Sequence, residues 1–203
     1  KQMSKYGVFL MCNEEVTKKI NDFKKHFLSL NVNNNYLDHP VHVSLYVFES
    51  NTTNNDKLIE SFQGIEKTIN KINLKLTDWI LFENDILTGL NTICIGIKKV
   101  ESIEFIQDQV IQSFKSFAIK DKNDKLENEY AKSQEKYGYP FVGKHWIPHI
   151  TVGSVDLAKS KIEKEIKKLE IINLTIKADS LHFYEIKNEK HKLIKKMKLH
   201  ENN

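Results

Sequence analysis

The order strand, helix, strand, helix occurs twice along this 203-residue chain, and this repeat strongly constrains the fold. Apolar runs at 6–12 and 41–48 flank a helical segment, and runs at 91–97 and 146–153 flank another. Short apolar runs are typical of strands, whereas apolar residues three or four positions apart are typical of helices. The helical segments show that spacing at Val16, Ile20, Phe23 and Phe27, and at Ile103, Ile106, Val110, Phe114 and Phe117. We expect residues 1–203 to form a single α+β domain of two pseudo-symmetric lobes, each an antiparallel sheet with outer helices, with a cleft between them.

The remaining segments add further elements to the two lobes. The apolar spacing predicts a helix from Leu58 to about Asn70, a strand at 72–82, a final helix from Leu157 to Leu169, and strands at 174–186 and 192–199. The charged segment 118–144 interrupts the repeat. It is either a mobile lid whose aromatic side chains stack on a base, or a solvated loop with a short helix and aromatics that return to the core. For Tyr137 we favour the core.

Each repeat carries a histidine and a hydroxyl residue two positions apart within its second strand. These are His42 with Ser44, and His149 with Thr151. Side chains alternate between the two faces of a strand, so each pair projects from one face. If the two strands are neighbours, two imidazoles and two hydroxyls meet in one cleft. One histidine can then accept a proton and the other donate one, while the hydroxyls bind the oxygens of a phosphate.

Chance alone explains part of this pattern. With 8 histidines in the chain, roughly one triplet of histidine, any residue, and serine or threonine is expected at random. The two observed triplets are distinguished by their context, because both lie in strand-like runs that follow a strand and a helix. A structural protein with two coincidental triplets remains an alternative, and it requires that the two histidines do not face one another.

The composition indicates which groups are available to bind an anion. The net charge is +4, and all 31 basic residues are lysines. Arginine is the usual bidentate ligand of phosphate in proteins. Any phosphate site in this chain therefore uses lysine, histidine, hydroxyl or backbone N–H groups. The mild positive charge is compatible with an anionic substrate, but it is too small to indicate nucleic-acid binding by itself.

Cysteine usage and hydropathy favour a cytoplasmic protein. Cys12 and Cys94 both lie in apolar runs and are expected to be buried free thiols, as in a reducing compartment. No apolar run reaches the roughly 18–20 residues needed to cross a bilayer, and no signal peptide is recognisable. We expect no membrane association and a monomer.

The histidine spacing does not indicate a metal site. His145 and His149 are four residues apart, but Pro148 opposes the helix that would align them as ligands. His39 and His42 flank Pro40 and have no carboxylate or thiolate pair close in sequence. We expect neither a metal ion nor another cofactor.

The two motifs resemble those of the 2H phosphoesterase superfamily, which includes 2′,5′-RNA-ligase-like proteins and RNA cyclic phosphodiesterases. PHITVG at 148–153 is similar to the second motif of the superfamily, and HVSLYVF at 42–48 is similar to the first. The resemblance implies that His42 and His149 are the acid–base pair and that Ser44 and Thr151 bind the phosphate. It also implies chemistry without a metal, on RNA or a small nucleotide.

The resemblance has one departure and adds several candidate residues. Many relatives carry arginine directly after the glycine of the second motif, where this chain has Ser154. Relatives often place an aromatic residue near position 184 to contact a base. Tyr184, Trp146 and Tyr139 are therefore candidates for base stacking, and a place in the core is the alternative for each.

The residues and the resemblance together predict a metal-independent phosphodiesterase. Its substrate would be a 2′,3′-cyclic phosphate or a 2′,5′ phosphodiester bond in an RNA end or a small nucleotide. Imidazole suits either proton-transfer role because its pKa lies near neutral pH, so the sequence leaves open which histidine is the base. The alternative is a nucleotide- or RNA-binding module with the same cleft and little or no turnover. The missing arginine favours that alternative, and the matched histidines argue against it.

Overall fold

A computed structural model describes residues 3–52, 54–171, 174–188 and 190–201, and this part of the chain contains nine strands and five α-helices. In chain order these are β1 (Ser4–Met11), α1 (Glu14–Leu28), β2 (Asn34–Asn35), β3 (His42–Ser50), α2 (Asn55–Gly64), β4 (Ile72–Phe82), β5 (Asn91–Ile97), α3 (Glu101–Phe114), α4 (Asn128–Tyr137), β6 (His149–Val155), α5 (Lys159–Ile166), β7 (Thr175–Ala178), β8 (Ser180–Lys187) and β9 (Lys190–Lys198). Short 3₁₀ turns occur at Ile65–Lys67 and Gly143–His145.

The strands form one antiparallel sheet in the order β7-β4-β5-β6-β3-β1-β8-β9, and β2 pairs with the end of β6. Strands β3, β1, β8 and β9 make one half, and β6, β5, β4 and β7 make the other. The halves meet where Val43 of β3 pairs with Ile150 of β6. The sheet curls so that Asn70, just before β4, bridges to His200, just after β9. The predicted α+β fold with two pseudo-symmetric halves is confirmed.

The core lies between one face of the sheet and the helices. The apolar stripe of α1 is buried, and so are Val43 and Ile150 at the junction of the two halves. Burying an apolar side chain of this size contributes about 1.5–3 kcal/mol to folding. Since strand side chains alternate, the neighbours of Val43 and Ile150 project from the opposite face of the sheet, which the helices leave open.

Helix α2 is shorter than the spacing predicts. It ends at Gly64 and passes into the 3₁₀ turn, whereas the apolar spacing extends to about Asn70. The Thr68 hydroxyl donates to the carbonyl of Ile65 at 2.9 Å, and this bond stabilises the turn. Short polar side chains that bind nearby backbone groups in this way compete with helix continuation.

The predicted strand at 174–186 is two strands. The chain leaves the sheet edge beside β4 after Ala178 and pairs with β1 from Leu181 onward. Asp179 lies at this crossing, and its carbonyl accepts a 2.6 Å hydrogen bond from the Leu199 amide. Both segments carry alternating apolar residues and bury one face, so the local pattern does not mark the crossing.

The inserted segment contains a short helix, α4, and then returns to the core. Its left-handed C-terminal residue is Gly138, where a Cβ atom would meet the carbonyl oxygen of Ile119. The Tyr46 hydroxyl donates to the carbonyl of Tyr137 at 2.5 Å. This arrangement matches the second interpretation of the segment, a polar excursion with a helix whose aromatic residues pack inward.

Two further features concern the thiols and the bilayer. Cys12 and Cys94 are both free thiols; Cys94 is buried and Cys12 partly so. None of the helices in the described residues has the length and apolar character required to cross a membrane.

Candidate active site

The four motif side chains share the open face of the sheet. Val43 and Ile150 pair across β3 and β6 and face the core. The antiparallel register therefore brings together the flanking positions, with His42 beside Thr151 and Ser44 beside His149. Diagonal neighbours in such a ladder lie about 7–8 Å apart, so the two imidazoles can flank one tetrahedral phosphate. All four residues are half-buried.

Both imidazoles are oriented by the same backbone contact. The Nδ1 atom of His42 lies 2.6 Å from the carbonyl oxygen of Pro40, and Nδ1 of His149 lies 2.6 Å from that of Ile147. A carbonyl oxygen only accepts, so Nδ1 carries the hydrogen in each ring. The Nε2 atom of each neutral imidazole is then left with a free lone pair. Each motif histidine therefore presents a proton acceptor, which becomes a donor once it is protonated.

The pKa of the His42 imidazole is well below its usual value. Burial is the main cause, and the hydrogen bond to the Pro40 carbonyl opposes it only in part. Positive charge on His191, Lys24 and His39 lowers the pKa of His42 further. His42 is therefore neutral at physiological pH and ready to accept a proton.

The surroundings of His149 are electrostatically different. Burial lowers its pKa too, and the hydrogen bond to the Ile147 carbonyl opposes this. The Asp85 carboxylate raises the pKa of His149, whereas the charged neighbours of His42 all lower that of His42. The two imidazoles thus differ in the sign of the charge beside them.

A phenylalanine packs against each motif histidine. The ring centroids of Phe9 and His42 are 4.2 Å apart, and those of Phe82 and His149 are 5.5 Å apart. Phe9 pairs with Ser44 across β1 and β3, and its ring extends over Gly7, where a Cβ atom would lie 2.6 Å from Cζ of Phe9. These two phenylalanines were not predicted, because their positions follow from strand register rather than from local pattern.

Two further histidines and Tyr184 surround the His42 side of the cleft. The ring of His191 lies 6.4 Å from His42 and 4.7 Å from His39. Tyr184 contacts the same Phe9 ring as His42, at 5.5 Å, and is 9% exposed. Tyr184 is therefore close to the motif residues, and base stacking by its ring stays a prediction.

The other two base-stacking candidates lie elsewhere. Trp146 is 3% exposed and belongs to the core, which leaves no ring face for a base. Tyr139 packs edge-on against Tyr46 and Phe141. Tyr46 follows an irregularity in the β1–β3 register that turns its side chain toward the helices. These placements argue against the stacking role predicted for Trp146 and Tyr139.

The hydroxyl groups have different neighbours. The Thr151 hydroxyl lies 3.7 Å from the Cys94 sulfur, and burial raises the pKa of that thiol to about 12. Cys94 therefore stays a neutral thiol beside Thr151. Ser44 lies at the other end of the same diagonal of the four-residue cluster as Thr151, and it pairs with Phe9 on the neighbouring strand.

Ser154, which stands where many relatives carry arginine, is fully buried in a hydroxyl cluster. It is hydrogen-bonded to the hydroxyls of Thr92 and Thr88. Thr92 in turn donates to the Asp85 carboxylate at 2.5 Å. A carboxylate and three hydroxyls thus occupy this end of the motif strand, and any charged contact to a substrate phosphate must come from another part of the cleft.

In the part of the chain that the structure describes, no three histidine, cysteine, aspartate or glutamate side chains are grouped so that they could hold a metal ion. The side chains that the structure places around the two motifs on this face are imidazoles, hydroxyls and aromatic rings.

Comparison with known proteins decides the family. The sequence profile of the 2′-5′ RNA ligase superfamily matches residues 14–190. The chain belongs to this superfamily. The match includes both motif strands, and the resemblance to the 2H phosphoesterases is thereby confirmed. Among curated proteins, none matches the chain in sequence.

Several solved structures have the same fold as this chain. The apo form of LigT from Escherichia coli is 11% identical, with a TM-score of 0.60, over 99% of this chain and 100% of LigT. TT0787 of Thermus thermophilus is 12% identical, with a TM-score of 0.65, over 98% of this chain and 100% of TT0787. At such low identity the likeness concerns the fold, including the curled antiparallel sheet.

Proposed function

We propose that this member of the 2′-5′ RNA ligase superfamily is a metal-independent phosphodiesterase in which His42 and His149 are the acid–base pair. Membership of a superfamily of phosphoesterases supports phosphodiesterase activity in general. The observation that carries the finer proposal is the matched orientation of the two imidazoles. On adjacent strands, each Nδ1 is tied to a backbone carbonyl, which leaves each Nε2 available for proton transfer.

The unequal surroundings of the two imidazoles favour His42 as base and His149 as acid. Burial, aided by the positive charge of Lys24, keeps His42 unprotonated, as a base requires. Burial lowers the pKa of His149 too, but there the Asp85 carboxylate opposes this effect and favours a proton. The charge of a bound phosphate also raises the pKa of an adjacent imidazole, so substrate binding itself helps to protonate His149. Pairs of titratable groups whose surroundings push their pKa values apart are typical of acid–base catalysis.

Hydrolysis of a 2′,3′-cyclic phosphate then needs one proton transfer at each histidine. Nε2 of His42 takes a proton from water as the water oxygen forms its bond to phosphorus. The bond from phosphorus to one ribose oxygen breaks, and that oxygen takes the proton from Nε2 of His149. Turnover leaves His42 protonated and His149 neutral, and proton exchange with solvent restores both.

Ser44 and Thr151 are proposed to donate hydrogen bonds to the non-bridging oxygens of the phosphate. Their hydroxyls share the open face with the imidazoles and lie on the other diagonal of the same four-residue cluster. Donors that meet charge as it develops in a transition state contribute more to rate than to substrate binding.

The substrate is proposed to be an RNA end or a small nucleotide. LigT of E. coli has been crystallised with 3′-AMP and with ATP, which supports a nucleotide as the ligand of this fold. Cleavage of a 2′,5′ linkage uses the same pair of histidines, except that His42 deprotonates the neighbouring 3′-hydroxyl instead of water.

A second candidate function is a nucleotide- or RNA-binding module with little turnover. The hydroxyl cluster around Ser154 favours it, because a buried serine cannot give the cationic contact that arginine gives in many relatives. Strong nucleotide binding without product formation would support this second function.

Incubation with a substrate panel in EDTA tests the proposal. The panel contains 2′,3′-cyclic nucleotides, 2′,5′-linked oligoadenylate and short RNAs, and products are resolved by chromatography. We expect cleavage of at least one substrate class by the wild type and by H200Q, which removes an exposed histidine paired with Glu66. The H42A/H149A double variant should be inactive. Full activity in the folded double variant, or loss of wild-type activity in EDTA that a divalent ion restores, would overturn the assignment.

A further inference from the structure

Lys24 is a buried lysine on the apolar face of α1. Lys24 is only 4% exposed, and it lies on the same helix as the buried residues Phe23 and Phe27. Its Nζ atom donates to two backbone carbonyls, those of Tyr36 and Val152, at 2.9 Å each. Moving an ammonium group out of water is unfavourable unless its hydrogen bonds and charge are used. Helix packing alone therefore does not explain why a lysine occupies this buried position.

The two carbonyls belong to the segments that carry the two motifs. Val152 follows Thr151 and is the extra residue of a β-bulge, since Cys94 and Ile93 of β5 pair with Thr151 and Gly153. The bulge turns the Val152 carbonyl out of the regular ladder, and Lys24 supplies its donor.

Tyr36 lies in the turn that leads to the strand of His42. Its backbone is left-handed, with φ of 69°, and its carbonyl also accepts from the His39 amide at 3.1 Å. A single ammonium group thus joins the approach to the first motif to the strand of the second. It does so from the helix-covered face, opposite to the motif side chains.

We propose that Lys24 is a positioning residue of the active site, which fixes the two motif strands relative to each other and supplies a positive charge that favours a bound phosphate. The inference rests on the proposed function in taking phosphate as the ligand of the cleft. It explains how a chain without arginine provides a fixed cation for this site.

The electrostatics agree with this role. Positive charge on Lys24 acts on His42, and so does charge on His191 and His39, the other cationic neighbours of that imidazole. Burial lowers the pKa of Lys24 itself to about 8, and the Asp38 carboxylate opposes this shift. Lys24 is therefore mostly charged at neutral pH. Coupling between two sites is reciprocal, so a phosphate that is stabilised by this charge must also raise the pKa of Lys24.

The first test uses the unaltered protein. The protein is labelled with ¹³C-lysine, and the Cε resonances are followed by NMR as the pH is raised through the alkaline range, with and without saturating inorganic phosphate. In this pH range inorganic phosphate is a dianion. We expect phosphate to raise the pKa of Lys24 by about 0.5–1 unit, which corresponds to a roughly threefold to tenfold effect on phosphate affinity. An unchanged pKa in saturating phosphate would overturn the inference.

The second test separates the hydrogen bonds of Lys24 from its charge. K24Q keeps N–H donors without the charge, and K24M removes both. K25M is the matched control, because Lys25 is the exposed next residue of the same helix and its loss changes net charge equally. The lysine resonance that disappears in K24Q also assigns the signal of Lys24.

In both Lys24 variants we expect the dissociation constant of inorganic phosphate to rise about threefold to tenfold and the pKa of His42 to rise, with no such change in K25M. If turnover is present, kcat should fall further in K24M than in K24Q, because only Gln can still bind the two carbonyls. Folded variants that bind phosphate as tightly as K25M would overturn the inference, and if neither variant folds, the titration of the unaltered protein decides.

Failure of this inference and failure of the proposed function are distinguishable. Phosphate affinity and the pKa values of Lys24 and His42 are measured without turnover. A protein that cleaves no substrate but shows the linkage retains the inference and loses the proposed activity. A protein that cleaves nucleotides without the linkage retains the activity and loses the role of Lys24.

Discussion

At the scale of single residues, a local backbone contact gives the two motif histidines the same ring orientation, whereas contacts with distant residues give them different electrostatic surroundings. The carbonyl two residues earlier fixes Nδ1 in both rings. Charged groups from other elements then differ, with Lys24 and His191 acting on His42 and Asp85 acting on His149. Equal orientation with unequal surroundings is what a base and an acid working on one phosphate require.

Replacing either motif histidine by alanine should lower turnover by roughly 10²–10⁴-fold, the usual contribution of one acid or base. The two losses should not add in H42A/H149A, because residues that act as a unit are strongly non-additive. Steady-state kinetics on the best substrate of the panel measures this. Strictly multiplicative losses in the double variant would contradict a shared proton-transfer role.

The pH dependence of kcat/KM should be bell-shaped and displaced to the acidic side of the usual imidazole range. A base works only when it is unprotonated, so the acidic limb follows the strongly lowered pKa of His42. An acid works only when it is protonated, so activity falls as pH rises through the pKa of His149, which is also lowered in the free enzyme.

Bound phosphate raises the pKa of His149, so the alkaline limb of kcat should lie at higher pH than that of kcat/KM. Full pH profiles of both constants measure this. An alkaline limb that survives unchanged in a partly active H149A variant would contradict the assignment of His149 as the acid.

The hydroxyls should affect the rate and leave both limbs of the pH profile in place. S44A and T151V each remove one proposed donor to the phosphate, a change that costs about 10²–10³-fold when the contact is strong in the transition state. We expect the lower end of that range, because water can replace a hydroxyl in an open cleft. A missing limb in either variant, or full activity in both, would contradict this division of roles.

At the scale of elements, β-bulges decide which side chains reach the open face. An irregularity between β1 and β3 turns Tyr46 toward the helices, two residues beyond Ser44. Another between β5 and β6 frees the Val152 carbonyl for Lys24, immediately after Thr151. Both motif strands thus present their two functional side chains and then change register, which confines the polar cluster to one place on the sheet.

The glycine of the second motif is required by packing against the turn before β3. A Cβ atom on Gly153 would lie 2.8 Å from Cγ of the buried Leu37. We expect G153A to lower the free energy of unfolding by about 1–3 kcal/mol, as overpacking usually does.

G64A is the matched control for this prediction. Gly64 is helical, and a Cβ atom there would meet nothing within 4 Å. We expect a gain of about 0.4–1 kcal/mol from the lower entropy of the unfolded chain. Urea denaturation at constant m-value measures both variants, and equal stability of G153A and the wild type would show that Leu37 moves freely.

At the scale of the whole molecule, the chain crosses repeatedly between the two halves of the sheet. The first half contains β1 and β3 from the start of the chain and β8 and β9 from its end. The Asn70–His200 bridge also links the two ends of the curled sheet, with the Lys71 amide donating to the His200 carbonyl at 2.7 Å. The first half combines strands from both ends of the chain, so it cannot fold from one continuous segment. The strands β4–β7 of the second half are consecutive, but β2, from between β1 and β3, pairs with β6 and joins the two halves.

We therefore expect a single cooperative unfolding transition despite the two pseudo-symmetric halves. Trp79 and Trp146 lie in or next to strands of the half that contains β4–β6, and their fluorescence reports on that half. The imidazole NMR signals of His42 and His182 report on the other half. Coincident urea transitions are the expected result, and separate midpoints for the two sets of probes would contradict it.

The sequence by itself determined the strands, the helices and the polar pairs of the two motifs, because these depend on periods of two and of three to four residues that neighbours in the chain impose. The same alternation predicted which face His42 and Ser44 share. The limits of local pattern are visible at Asp179, where one apolar run covers two strands with different partners.

Only the tertiary structure decided how the halves meet, because strand register joins residues far apart in sequence. The pairing of Val43 with Ile150 brings the four motif side chains together. The tertiary structure also placed Phe9 and Phe82 against the two histidines. It buried Trp146, which local sequence does not distinguish from an exposed aromatic residue. Lys24 is visible in the sequence only as a lysine within the apolar stripe of a helix. The role proposed for it depends on hydrogen bonds to the carbonyls of Tyr36 and Val152, which lie 12 and 128 residues away along the chain.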